Sequence, residues 1–301
     1  MNKIGKISLS LTAISVISLA LAMGVFFPWG NLQALGQGES GKTENINDER
    51  SYDLNDIKDI GISVSSAEIR IEVVRSDRLR VHLHGNTSGQ KPFLNDKESG
   101  TSLNIEVKRK SSFGFSSSNL ILDIEIPEGY DRNLKISSSS GNISIPDLKL
   151  TDFQVDMSSG DLNLDTIAVR NFFFDSSSGK LTANQIESSE SRLKLSSGSV
   201  IIDKFTGDLD TNMSSGDLEV MYIDFNNKIS VDCSSGDIRI SLPADANFDL
   251  DADTSSGKIT CDFPITISGE QNRDTLKGTV GSGENKILLE TSSGNISILK
   301  N

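Results

Sequence analysis

Serine is the first residue in this chain whose spacing suggests chemistry. A Ser-Ser-Gly triplet recurs in "MSSGDLNL" at 157–164, "MSSGDLEV" at 213–220 and "CSSGDIRI" at 233–240. A serine hydroxyl becomes a nucleophile only with a base such as histidine within hydrogen-bond reach. The chain has two histidines, His82 and His84, and eight such triplets. One base pair cannot serve eight loops, so the triplets read as structure and no catalytic residue is assigned.

Other reactive side chains meet similar tests. His82 and His84 stand at i and i+2, so they share one face of a strand, with Leu79, Val81 and Leu83 on the other. Two imidazoles could hold a metal, but the sequence offers no third ligand beside them, and a solvated face is expected. Acids recur four residues before the triplet glycine, at Asp156, Asp175, Asp232, Asp253 and Glu290. In stacked repeats Asp156 would neighbour Asp175, and Asp232 would neighbour Asp253. Close carboxylates could recruit a hard cation such as Ca²⁺, but Lys194 and Asn212 interrupt the column, so this too reads as a solvated face. Nothing singles out one carboxylate pair for glycoside hydrolysis. Cys233 and Cys261 have no CxxC or Cys/His spacing around them. They fall in different repeat columns and are expected to be two buried free thiols. No metal site, cofactor or phosphate loop is assigned.

The elements that position these residues follow from the glycines closing each triplet: Gly141, Gly160, Gly179, Gly198, Gly216, Gly236, Gly257 and Gly294. Successive gaps are 19, 19, 19, 18, 20, 21 and 37 residues. The last is about twice the period and suggests a copy near 270–283 that has lost its triplet. Two residues after each glycine stand Ile143, Leu162, Leu181, Val200, Leu218, Ile238, Ile259 and Ile296, and the positions four after are also apolar. Seven after come Leu148, Ile167, Ile186, Phe205, Ile223, Pro243 and Pro264; apolar residues also recur five before, from Ile136 to Leu289. This is the period-2 pattern of strands with one buried face. The inward positions three before and two after the glycine are five apart, an odd number. A straight strand would turn one of them to solvent, so the chain must bend at the triplet, where glycine tolerates unusual dihedrals.

A unit of about 19 residues cannot bury its own apolar face, but stacked units can. The predicted fold is all-β: a β-solenoid, a parallel β-helix with one coil per repeat, in preference to an antiparallel meander. Residues 131–301 form the regular part. Residues 51–130, with "IGISVSSAEIRI" at 60–71 carrying Ala67 in place of glycine, read as irregular amino-terminal coils of the same 51–301 domain.

Lys3 and Lys6 precede an uncharged stretch from Ile7 to Trp29. Its length suffices for a bilayer core of about 30 Å. The expected organisation is therefore a short cytoplasmic segment 1–6, a transmembrane anchor or signal segment 7–29, and a flexible tether 30–50, with the domain outside the cytoplasm. The chain carries a net charge of −13, a sign that repels nucleic acid. Hydrophobic residues make up 36% and aromatics 6%, which suits a narrow core.

The serial "SSG" followed by Asp, Asn or Lys and alternating apolar residues, together with "IPEGY" at 126–130, resembles the bacterial putative-adhesin family of β-strand-repeat envelope proteins. That resemblance covers residues 51–300 and implies a β-helix; it brings no catalytic residues. The expected function is a non-enzymatic, membrane-tethered adhesin, envelope scaffold or stress-response accessory, with a cell-wall polymer or envelope protein as partner. A carbohydrate-active envelope enzyme and an extracytoplasmic sensor are the alternatives.

Overall fold

The computed structural model describes residues 43–109, 117–268 and 272–301. Residues 43–301 form one compact unit, and every regular element described in it is a strand. The segments expected at 1–6 and 7–29 lie outside the described residues. Among the described residues no helix is long and apolar enough to cross a membrane.

The chain opens with β1 (Thr43–Asp53), β2 (Asp59–Ser66), β3 (Glu68–Val74), β4 (Arg78–Ser88), β5 (Phe93–Ser99), β6 (Ser102–Lys108) and β7 (Ser117–Pro127). The regular repeats occupy β8 (Asn133–Ser140), β9 (Ile143–Met157), the long winding β10 (Leu162–Ser215), β11 (Leu218–Tyr222), β12 (Ile229–Ser235) and β13 (Ile238–Leu242). The end is built from β14 (Phe248–Ser256), β15 (Ile259–Cys261), β16 (Thr266–Ile267), β17 (Thr275–Val280), β18 (Asn285–Ser293) and β19 (Ile296–Lys300). Thr43–Arg50 thus belongs to β1, paired antiparallel with β4. The tether expected over 30–50 is strand from residue 43, because those amides have a partner edge to bond.

Each coil consists of a strand before the glycine and a strand after it, and each stacks in parallel on its equivalent in the next coil. Ile143 pairs with Leu162 and Val155 with Phe174, Leu209 with Ile229, and Leu218 with Ile238. Two parallel stacks thereby enclose one apolar core. The expected inward columns are buried: Ile136, Val155, Phe174, Leu193, Val231 and Leu289 before the corner, and Ile143, Leu162, Leu181, Val200, Leu218, Ile238 and Ile296 after it. The expectation fails at Ile223, which is 48% exposed, and at Pro264, which is exposed, while Ile259 and Pro243 are only half-buried. At Ile223 the run after the corner is one position shorter: Phe205 stands three residues after Ile202, whereas its partner Tyr222 stands two after Val220 and takes the inward place.

The corners show why glycine is needed. At Gly216, φ is +116°, and a β-carbon would overlap the carbonyl oxygen of Gly198 in the coil beneath. Both the backbone conformation and the close stacking exclude a side chain. Ala67 fills the equivalent position under Gly141.

Stacking order departs from chain order at both ends. Gly294, not Gly257, sits on Gly236, and Gly257 sits on Gly294. The strands β18 and β19 lie between β12–β13 on one side and β14–β15 on the other. The segment near 270–283, expected as a degenerate coil, contains β17, which runs antiparallel along β14. That excursion reverses the chain and lets β18 enter beneath β14. At the other end β2–β3 is sandwiched between β6–β7 and β8–β9. Antiparallel strands finish both ends: β5 on β6, β4 and β1 beyond β7, β17 and β16 beyond β14.

Candidate functional surface

The triplet serines are held by the corners rather than aimed at one another. Ser159 donates its amide and its hydroxyl to the carbonyl oxygen of Ser139, at 3.1 and 3.2 Å. The hydroxyl of Ser138 donates to the carbonyl of Ser140 at 3.3 Å. The Ser138 bond is local to its bend, whereas those of Ser159 tie one corner to the corner stacked against it.

The residue after the glycine has a role that period-2 reading missed. The Asn142 side-chain oxygen accepts the amide of Asp161 at 3.0 Å, and Asp161 accepts the amide of Lys180 at 3.1 Å. Asp217 accepts from Asp237 at 2.9 Å, Asp237 from Asn295 at 2.7 Å, and Asn295 from Lys258 at 3.1 Å. An Asx ladder thus runs up the edge beside the glycines, following the spatial order rather than the chain order. The recurrent Asp or Asn after "SSG" was its signal.

The acidic column is rearranged by the intercalated strand. Asp156 does neighbour Asp175, but Lys135 reaches Asp156 at 2.8 Å and Lys194 reaches Asp175 at 3.8 Å. Asp232 and Asp253 are not neighbours, because Glu290 pairs with both. Cys233 is buried and Cys261 half-buried, and both are free thiols. Cys261 lies on β15, which among the described residues pairs with β19 alone, at the end of the stack, and so it is less covered than the expected inward column implies. Burial pushes both thiols above their ordinary range and leaves them poor nucleophiles.

His82 and His84 face outward from β4, as expected, with ring centroids 4.7 Å apart. The strand pairing adds Asp123 of β7 beside them, a neighbour 39 residues from His84 that sequence could not supply. Along the same face Arg80 bridges Glu49 and Glu125, each at 2.7 Å. The hydrogen bond from Arg80 holds the Glu49 carboxyl below the usual carboxylate range.

The other outward face, formed by the strands that precede the corners, carries a groove of about 550 Å³ at its amino-terminal end. It crosses five levels, in the order β6, β2, β8, β9 and β10. One row of outward positions is Asn104, Gly61, Lys135, Gln154 and Phe173; the row beside it is Ser102, Asp59, Asn133, Asp152 and Asn171. Gly61 supplies the depression, since a side chain there would meet the Asn104 amide. Two carboxylates orient two amides: Asn133 donates to Asp59 at 2.8 Å and Asn171 to Asp152 at 2.6 Å. The half-exposed Phe173 ring closes the groove, with the Arg192 guanidinium 5.6 Å from its centroid. Its neighbours Phe172 and Phe174 point into the core. An aromatic edge beside pre-oriented amides is equipped to hold a polar, polyhydroxylated ligand.

Solved structures resemble this chain to differing degrees. A putative adhesin from Bacteroides fragilis NCTC 9343 matches over 86% of this chain and 99% of its own, with 12% identity and a TM-score of 0.51. A putative adhesin from Parabacteroides distasonis ATCC 8503 matches over 86% and 98%, with 12% identity and a TM-score of 0.40. A putative lipid binding protein from that organism matches over 87% and 98%, with 17% identity and a TM-score of 0.36. At such identities the first likeness is one of fold alone. No curated protein matches the chain. Residues 57–299 match the family model described as Toastrack DUF4097. That span runs from the core residue Ile57 through every corner to Leu299 in the last strand, and the chain belongs to the Toastrack DUF4097 family.

Proposed function

We propose that this protein is a non-enzymatic, membrane-tethered adhesin of the cell envelope whose outward solenoid face binds a wall polysaccharide. The observation that carries the reading is the groove: Gly61 opens it, Asn104, Asn133, Gln154 and Asn171 line it with amides, and Phe173 offers an apolar ring. Sugars present hydroxyls to amides and C–H faces to aromatic rings, and a stack of repeats extends such a surface along a polymer. The likeness to the Bacteroides fragilis protein, itself called a putative adhesin, is consistent with a binding role. The anchor belongs to this proposal as well, resting on the uncharged run from Ile7 to Trp29.

The test is a pull-down of the full chain, kept in mild detergent, against purified wall polysaccharide and against solubilised membrane proteins. Saturable retention on the polysaccharide supports the adhesin. Capture of a single membrane protein with no polysaccharide binding replaces it with the accessory role.

A further inference from the structure

We propose that His82, His84 and Asp123 form a binding site for a borderline divalent cation of the zinc or copper class on the outward face of the amino-terminal cap. Their ligand atoms all lie within 4.8 Å of one another. His84 Nε2 is 2.7 Å from Asp123 Oδ2, and His82 Nε2 is 2.6 Å from the Asn47 side-chain oxygen. Two imidazole nitrogens and a carboxylate oxygen therefore converge from two adjacent strands, and an amide oxygen from a third touches His82.

The scaffold fixes these positions. β4 is bonded along its length to β1 on one side and β7 on the other. In that register His82 stands opposite both Glu49 and Asp123, and His84 opposite Asn47. The nearby carboxylates Glu49 and Glu125 are both committed to Arg80, and Arg70 is paired with Glu68 at 2.8 Å. Asp123 is therefore the carboxylate closest to the rings.

Zinc binds imidazole nitrogen and carboxylate oxygen at about 2.0–2.2 Å, which separates ligand atoms by roughly 3–3.5 Å. Donors already within 4.8 Å reach that spacing by side-chain rotation alone. Coordination through His84 Nε2 would replace its hydrogen bond to Asp123, with the neutral imidazole carrying its proton on Nδ1. Imidazole donors favour zinc or copper over calcium or magnesium, and the chain's net charge of −13 raises the local cation concentration.

The experiment is calorimetric titration of the full chain in mild detergent with zinc chloride, repeated with His84→Gln and Asp123→Asn. Thermal melts of both variants check that the fold is intact. Copper(II) resonance spectra of the unaltered chain supply a second readout, independent of the variants. The proposal expects one zinc per chain, at least tenfold weaker binding in each variant, and nitrogen hyperfine coupling in the copper spectrum. Absence of saturable binding, affinity unchanged in both variants, or a copper spectrum without nitrogen ligation would overturn it.

Discussion

Gly294 rests on Gly236, 58 residues earlier in the chain, while Gly257, only 21 residues on, lies one level further out. The amide of Gly236 donates to Ser293 at 2.8 Å, and the amide of Gly294 donates to Ser256 at 3.0 Å. The carboxy-terminal strands are therefore internal to the stack. The stack closes by threading its last coil beneath the one before.

Removing residues 284–301 should consequently do more than fray an end. β14 and β15 would lose the strands they lie on, and β12–β13 would lose their cover. Limited proteolysis of the truncated chain should cut within 229–262 under conditions where the full chain resists. Protection of that region would contradict the stacking order.

Corner glycines should be far more sensitive than turn glycines with room around them. Gly216→Ala combines an unfavourable φ with overlap against Gly198 and should cost about 3 kcal/mol or more. Gly100→Ala also has a positive φ, +61°, but nothing lies near its β-carbon, and it should cost only about 1–2 kcal/mol. Urea midpoints of the two variants give the comparison, and equal losses would argue against the glycine column.

The Asx ladder makes a paired prediction. Asp217→Ala removes the acceptor for the Asp237 amide and should destabilise by about 1 kcal/mol, whereas Asp217→Asn should stay within a few tenths. Lys180 interrupts the ladder because its side chain has no acceptor oxygen. Lys180→Asn should therefore stabilise by about 0.5 kcal/mol, read as a higher melting temperature.

Alkaline pH tests the core. All three tyrosines, Tyr52, Tyr130 and Tyr222, are pushed above the ordinary phenol value chiefly by burial. The folded state then keeps protons that the unfolded chain releases above about pH 10. Stability should be flat with respect to these groups below that value and fall as pH rises through it. Tyrosinate absorbance should appear together with loss of the strand signal in circular dichroism. Tyrosines ionising in the intact fold near pH 10 would show that burial has been misjudged.

Much of this architecture was legible in the sequence because strand parity is strict. The five-residue interval between Met213 and Leu218, both buried, announced the bend at Gly216. The same parity sends Phe173 outward between Phe172 and Phe174. What the sequence could not show was pairing between distant segments. Nothing near His84 points to Asp123, and the 37-residue gap before Gly294 fits a degenerate coil as well as it fits the β17 reversal. The neighbours assigned to Asp232 and the depth assigned to Cys261 failed for that one reason: chain order was taken for stacking order. Ile223 failed for another: the run from the Gly216 corner to the next inward residue, Tyr222, is one position shorter than its counterpart from Gly198 to Phe205.

If the triplet serines are corners, they should not contribute to ligand binding in the proposed outward groove. Wall-polysaccharide affinity measured for the unaltered chain, Phe173→Ala and the double variant Ser214→Ala/Ser215→Ala tests it most directly. At least a tenfold loss is expected for Phe173→Ala, and unchanged affinity for the serine pair. Full binding by Phe173→Ala, or a loss confined to the serine variant, would contradict it.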